Sequence, residues 1–229
     1  MAAAGKIPFI ASYATFSPGR NNEQIRTTIS LNNQPVKIVG SHAGLSVGLD
    51  GATHQALEDI GLMRMQPNMT VISPCDSRQA HKATIAAAKH EGPVYLRLSR
   101  AGFPVFTTSD TPFEIGKAQT MFETDSPVVG IIATGSVVHS AIMAAHQLRS
   151  EGIEAEVLNI HTIKPLDTEA LVRLAEKTKA LVTCEEHQIA GGLGSAVAEV
   201  LAERAPTRMS RIGVHDAFGQ SGEPHELMS

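Results

Sequence analysis

The sequence of 229 residues contains no tryptophan, and aromatic residues make up only 4% of it. Stacking platforms for nucleic-acid bases need several exposed rings, so this scarcity argues against a strand-binding surface. Basic residues do not accumulate either: 19 Lys and Arg stand against 23 Asp and Glu, for a formal net charge of −4. The charges are scattered, which argues against nucleic-acid or membrane-surface partners, since both select a basic face or run. No apolar run approaches the roughly 20 residues of a membrane span. Met1 to Ile10 is apolar, yet it has no basic leader and is interrupted by Gly5, Lys6 and Pro8, so it fails as a signal peptide. Only two cysteines occur, Cys75 and Cys184, far apart and in no Cys-x-x-Cys pair. They fit a reducing compartment where a free thiol behaves as a small hydrophobe, and the sequence predicts a soluble cytoplasmic protein.

Phosphate and metal signatures are missing too. There is no Gly-x-x-x-x-Gly-Lys-Ser/Thr stretch and hence no P-loop. Gly192-Leu193-Gly194 supplies Gly-x-Gly, but Val197 stands where the third glycine of a dinucleotide fingerprint belongs, so the run reads as a tight turn opening a helix. Glu185, Glu186 and His187 lack the spacing of a metal-binding helix, which leaves polar contacts at an interface as their role and no metal ligand assigned.

What the chain does have is alternation. Met1 to Lys6 reads as the last turn of a helix closed by Gly5, which implies sequence upstream, and Ile7 to Ser12 reads as a strand. Helices are predicted over Arg20–Leu31 and Thr53–Arg64, strands over Val36–Gly40 and Met69–Ser73. Asp76 caps an Ala-rich helix to about His90, and Pro93–Leu98 is a further strand. From Ser99 to Ser126 the pattern lapses into Gly, Pro, Thr and Asp with one short run, Ile115 to Phe122, read as a linker with an edge strand. Alternation resumes with strands Val128–Ala133, Ala155–Ile160, Ala180–Cys184 and Arg208–Val214. Helices follow Gly135-Ser136 to Ser150, span Asp167–Lys179 and span Gly191–Arg204. Repeated strand–helix units indicate two α/β/α three-layer units with mostly parallel sheets. The expected division is 1–100, a linker 101–125, and 126–229.

One loop concentrates chemistry. Gly40 to His54 places four glycines, Gly40, Gly44, Gly48 and Gly51, among Ser41, His42, Asp50, Thr53 and His54, between a strand and a helix. In α/β sheets that junction is where ligands bind. The imidazoles of His42 and His54 can donate to a hydroxyl or phosphate oxygen and shuttle protons near neutral pH. Asp50 would accept from hydroxyls, and Arg100, just past a strand end, offers a fork to a phosphate. Tyr13 and Phe16 follow the first strand and could stack on a flat heterocycle, although core packing is the commoner use of such a pair.

With Lys37-Ile38-Val39-Gly40-Ser41-His42-Ala43-Gly44, Gly48-Leu49-Asp50-Gly51-Ala52-Thr53-His54-Gln55, Pro67-Asn68-Met69-Thr70-Val71, Tyr95-Leu96-Arg97-Leu98-Ser99-Arg100 and Phe218-Gly219-Gln220-Ser221-Gly222, nearly the whole chain resembles the C-terminal half of a transketolase, particularly the split kind. The resemblance implies a pyrimidine-binding domain without its first part, followed by a transketolase C-terminal domain. It also implies a thiamine diphosphate enzyme of carbohydrate metabolism, such as the pentose phosphate pathway, that moves a two-carbon ketol unit between sugar phosphates. On that resemblance Tyr13 and Phe16 receive the aminopyrimidine end of the cofactor. His42 and His54 match catalytic and substrate-binding positions, and Asp50 and Arg100 match substrate-binding ones.

The family's catalytic glutamate and its diphosphate domain, with the Gly-Asp-Gly and Asn motif for Mg2+, have no match in this sequence, and Leu49 stands where the family usually has Glu. The expectation is therefore a chain inactive alone, working as a homodimer or as a heterotetramer with an N-terminal subunit that supplies the diphosphate and magnesium site and the glutamate. The alternatives are a 1-deoxyxylulose-5-phosphate synthase or a 2-oxoacid dehydrogenase β-type chain, against which His42 weighs, and a non-catalytic assembly module.

Overall fold

The computed structural model describes residues 1–100 and 102–228. Ala101, the first residue of the expected linker, and Ser229, the last of the second unit, lie outside the described residues. After one tight turn over Ala2–Ala4, closed by Gly5 at φ 75°, the chain enters β1 (Phe9–Tyr13). The expected helix over Arg20–Leu31 begins earlier and is less regular. Wide helical turns span Thr15–Arg20 with a break at Ser17, then come α1 (Asn22–Gln24) and further wide turns over Ile25–Ser30. Next are β2 (Lys37–Ser41), a tight helical stretch over Leu45–Asp50, α2 (Asp59–Arg64), β3 (Thr70–Ile72), α3 (Ser77–Lys89) and β4 (Val94–Arg97).

The helix expected from Thr53 thus starts six residues later, at Asp59. The apolar stripe that suggested it includes Ala56, but the Ala56 carbonyl receives the Gly44 amide, and Ala56 bridges Ala43 as a parallel strand pair does. The backbone at Ala56 thus follows a strand-like pairing, and the helix begins only beyond it.

The second half contributes β5 (Gln119–Phe122), β6 (Val129–Ala133), α4 (Val138–Ser150), β7 (Ala155–Asn159), β8 (Thr162–Lys164), α5 (Thr168–Lys177), β9 (Ala180–Gln188), α6 (Leu193–Arg204), β10 (Met209–Val214) and a short α7 (Pro224–Leu227). Side chains of Asp76 and Asp167 cap α3 and α5 by accepting from Gln79 and Ala170 amides at 2.8 and 3.0 Å. Asp76 also accepts from the amides of Phe106 and Thr107 and from the Thr107 hydroxyl, which fastens the segment after β4 to the start of α3.

Two five-stranded sheets result, in the orders β1-β2-β4-β3-β8 and β10-β9-β6-β7-β5. Within each, all pairings are parallel except the last, where β8 and β5 run antiparallel. The edge strand β5 lies within the run foreseen at Ile115–Phe122. β8 was not foreseen, and it takes a strand from the second half into the first sheet. One apolar core crosses both sheets, joining Ile38, Ile60, Met63, Val71 and Tyr95 to Ile132, Leu158, Leu171, Leu181 and Leu193. A shared core of this kind holds the two units in a fixed relation.

β9 is longer than the predicted Ala180–Cys184 and includes Glu185, Glu186 and His187, all three buried. They had been placed past the strand. Two of them make polar contacts where the two halves meet: the Glu186 carboxylate accepts from the Ser46 amide, and the Gly61 amide donates to His187 Nε2 at 3.4 Å, whereas Glu185 accepts from the Leu193 and Gly194 amides of its own half.

Candidate active-site wall

The glycine loop leaves the carboxyl end of β2, as a ligand-binding loop of a parallel sheet should. Gly40 lies over the ring of Tyr95, whose hydroxyl and edge occupy the volume a Cβ would need. His42 follows with a backbone φ of 54°, an uncommon conformation for a residue with a side chain, and one that turns the chain sharply at the sheet edge. Its imidazole stacks on Tyr13 at 3.9 Å between centroids and 17° between planes. Register explains the meeting, because Tyr13 and Ser41 are paired at the ends of β1 and β2.

His54 arrives from the far end of the loop. Its ring meets Tyr13 edge-on at 6.0 Å and Phe16 edge-on at 5.5 Å. Tyr13 and Phe16 are near-parallel, 6.1 Å and 13° apart, and the Arg20 guanidinium sits 4.6 Å over the Phe16 ring. Thr53 Oγ1 lies 2.9 Å from His54 Nδ1, and Ser41 Oγ lies 3.2 Å from His42 Nδ1, so each imidazole is oriented by a neighbouring hydroxyl.

Charge closes the group. Burial, and then the positive Arg100 guanidinium, hold the His42 pKa below the ordinary histidine value; Asp50 opposes and His54 reinforces the shift. His42 is therefore neutral at pH 7, with one ring nitrogen a donor and the other an acceptor. Arg100 is not a free fork: its Nη1 donates to the Val47 carbonyl at 2.8 Å, which pins the guanidinium to the loop while the side chain remains exposed. The six residues singled out in the sequence thus come from β1, the turns after it, the loop and the segment just past β4, and the structure brings them to one edge. Tyr13 keeps 37% of its surface exposed beside this cluster, and one of its faces is covered by His42. A flat, partly exposed aromatic pair with a neutral imidazole alongside fits the aminopyrimidine end of thiamine diphosphate. Among the described residues there is no group of three or more His, Cys, Asp or Glu that could hold a metal ion.

The residues that support the wall were not evident beforehand. Gln55 Nε2 donates to the carbonyls of Leu45, Gly48 and Gln220, tying both ends of the tight turn to the C-terminal segment. Arg97 Nε donates to Asp59 Oδ2 at 2.8 Å, and its Nη2 donates to the Glu186 carbonyl at the same distance. For Arg97 the available signal was a charged residue inside an apolar strand, since such a group persists there only when satisfied.

The family models for the transketolase pyrimidine-binding domain and the transketolase C-terminal domain match residues 1–104 and 116–229. The chain belongs to the transketolase family. This transketolase chain is 44% identical to the 6-deoxy-6-sulfo-D-fructose transketolase subunit SqwH of Clostridium sp. (strain MSTE9), over 97% of the chain and 68% of that subunit. It is 42% identical to a putative transketolase C-terminal section of Methanocaldococcus jannaschii, over 100% of the chain and 72% of the relative. Among solved structures, a split gene transketolase described as an inactive beta4 tetramer superposes with a TM-score of 0.92 at 44% identity, covering 99% of this chain and 72% of that one. These relatives favour the transketolase reading over the synthase and dehydrogenase alternatives.

Proposed function

We propose that this chain supplies one wall of a ketol-transfer site. The diphosphate and Mg2+ end of the cofactor is held by a partner N-terminal subunit, in a heterotetramer of the cytoplasm. The observation that carries this reading is the convergence of His42 and His54 on the Tyr13–Phe16 pair at the open edge of β1 and β2. The word subunit in the SqwH name and the tetramer of the split-gene structure support a shared site. The division into 1–100, a linker 101–125 and 126–229 is part of the same proposal.

Thiamine diphosphate, when bound, supplies the nucleophilic carbon that carries the two-carbon unit. The chain's own residues bind and orient. Tyr13 and Phe16 hold the flat aminopyrimidine ring. His42, neutral at pH 7, donates to the reacting carbonyl oxygen or takes a proton from the adjacent hydroxyl. His54 bonds a second hydroxyl from the opposite side, Asp50 accepts from sugar hydroxyls, and Arg100 attracts the terminal phosphate while Val47 fixes its position. Sugar phosphates, both donor and acceptor, are the substrate class.

The test is reconstitution with the diphosphate-domain subunit of a split transketolase, thiamine diphosphate and Mg2+, followed by ketol transfer between sugar phosphates. The chain alone should show no transfer. His54→Ala and Arg100→Ala in the reconstituted enzyme should lower kcat/KM for phosphorylated acceptors by roughly 100-fold and for unphosphorylated ones far less. Transfer by the isolated chain would overturn the shared site, and equal losses on both acceptor types would remove the phosphate role.

A further inference from the structure

The loop that carries His42, Asp50 and His54 belongs to the first half of the chain, yet its central anchor comes from the second. Glu186, in β9, is buried, with 4% of its surface exposed. Its Oε1 accepts the Ser46 amide at 2.5 Å, and its Oε2 accepts the Ser136 hydroxyl at 2.7 Å. Ser46 lies midway between His42 and Asp50 in the sequence and is the second residue of the tight helical stretch of the loop. Gly44, at φ 90°, is packed directly on the Glu186 carboxylate, which fills the position its Cβ would take. The residue is held at its other end as well, because Arg97 Nη2 donates to the Glu186 carbonyl at 2.8 Å and Arg97 is itself paired with Asp59.

We propose that Glu186 is the positioning residue for the glycine loop, a carboxylate in the C-terminal half that sets where His42 and Asp50 stand. A carboxylate is an acceptor only, and here it finds two donors, one on the loop and one on the turn after β6. Charge-assisted bonds to an amide are shorter and stronger than neutral ones. Gln55 and Arg100, which also hold the loop, come from the first half. The site cannot be assembled from the pyrimidine-binding domain alone, because one coordinate of its loop is fixed across the domain boundary. The catalytic consequence rests on the ketol-transfer reading; the positional one does not.

Glu186→Ala, Glu186→Gln and Ser136→Ala in the full chain separate these two. Amide hydrogen exchange of the chain by itself should be at least 10-fold faster across residues 43–50 in Glu186→Ala. Ser136→Ala should show a smaller rise, Glu186→Gln should stay within threefold of the wild type, and peptides from β6 and β7 should be unchanged. Unchanged exchange in the loop, or a uniform rise over the whole chain in all three variants, overturns the proposal. In the reconstituted enzyme, kcat should fall about 10- to 100-fold in Glu186→Ala with little change in KM for thiamine diphosphate, and Glu186→Gln should recover most of it. A loosened loop with full kcat overturns the catalytic part. A loosened loop in an assembly that never transfers a ketol unit, wild type included, leaves the positioning confirmed and removes the ketol-transfer reading instead.

Discussion

Arg97 and Asp59 form an ion pair sealed from solvent, with Nε 2.8 Å from Oδ2 and side chains only 6% and 1% exposed. Burial by itself would raise the Asp59 pKa, but the Arg97 charge, assisted by His187 and by hydrogen bonds from Arg97 and Tyr95, brings it below the ordinary carboxylate value. Tyr95 Oη donates to the same oxygen at 2.6 Å, so one carboxylate collects donors from two adjacent positions on one face of β4. Removing one member leaves the other charged and unpaired in a low-dielectric interior. Asp59→Ala or Arg97→Ala should each cost about 3–5 kcal/mol in urea unfolding, and an Asp59→Leu, Arg97→Met double variant should cost clearly less than the two single losses together. Additive losses would show that the pair is not coupled.

His161 is fully buried in the connection between β7 and β8, stacked 4.3 Å from Phe113, and its Nε2 has no hydrogen-bond partner among the described residues. Burial lowers its pKa to about 4. The unfolded chain takes up this proton near pH 6.5 and the folded chain only near 4, so the unfolded state binds more protons in between and stability falls as the pH drops through that window. The loss at this residue amounts to about 3 kcal/mol when complete. Compared with His161→Asn, the wild type should keep a constant stability difference above pH 6.5 and lose ground steadily toward pH 4. Parallel unfolding curves for the two proteins at pH 7, 5.5 and 4.5 would remove the assignment.

Lys37 gives a slope of the same sign at the other end of the scale. Its ammonium, buried in β2, donates to the carbonyls of His90 and Gly92 at 2.8 and 2.7 Å, and burial lowers its pKa to about 8. The unfolded lysine holds its proton up to about 10.5, so between these values the folded state is the one that has released it, and stability rises with pH. Relative to Lys37→Met, the wild type should gain about 1–3 kcal/mol between pH 8 and 10.5. A difference that stays level over that range, measured by urea unfolding, would contradict the shift.

Local signals in the sequence were read well because they act over a few residues. Asp76 and Asp167 cap the helices that their positions announced, and Gly5 closes the first turn in the left-handed conformation. The glycine loop was legible as a cluster of chemistry, since His42, Asp50 and His54 stand within one turn between strand and helix. What escaped was whatever depends on a distant partner. The stripe through Ala56 has helical spacing, but the backbone there pairs with Ala43 as a strand does. Nothing near Glu186 indicates that Ser46, 140 residues earlier, is its donor. The Val47 carbonyl that holds Arg100 lies 53 residues away, so this bond left no local signal. β8 is only three residues long, too brief for a periodic pattern, and its identity as a strand comes entirely from pairing with β3.

That small strand also carries a schedule. β3 is complete at Ile72, but its antiparallel neighbour arrives only with Thr162–Lys164, about ninety residues later. At the roughly 5–20 residues per second of synthesis, the first sheet waits on the order of 5–20 s on the ribosome with its β3 edge uncovered. An edge of that kind is a template for pairing with other chains, so the vulnerable period of this protein falls during its own translation and ends when the second half delivers the missing strand.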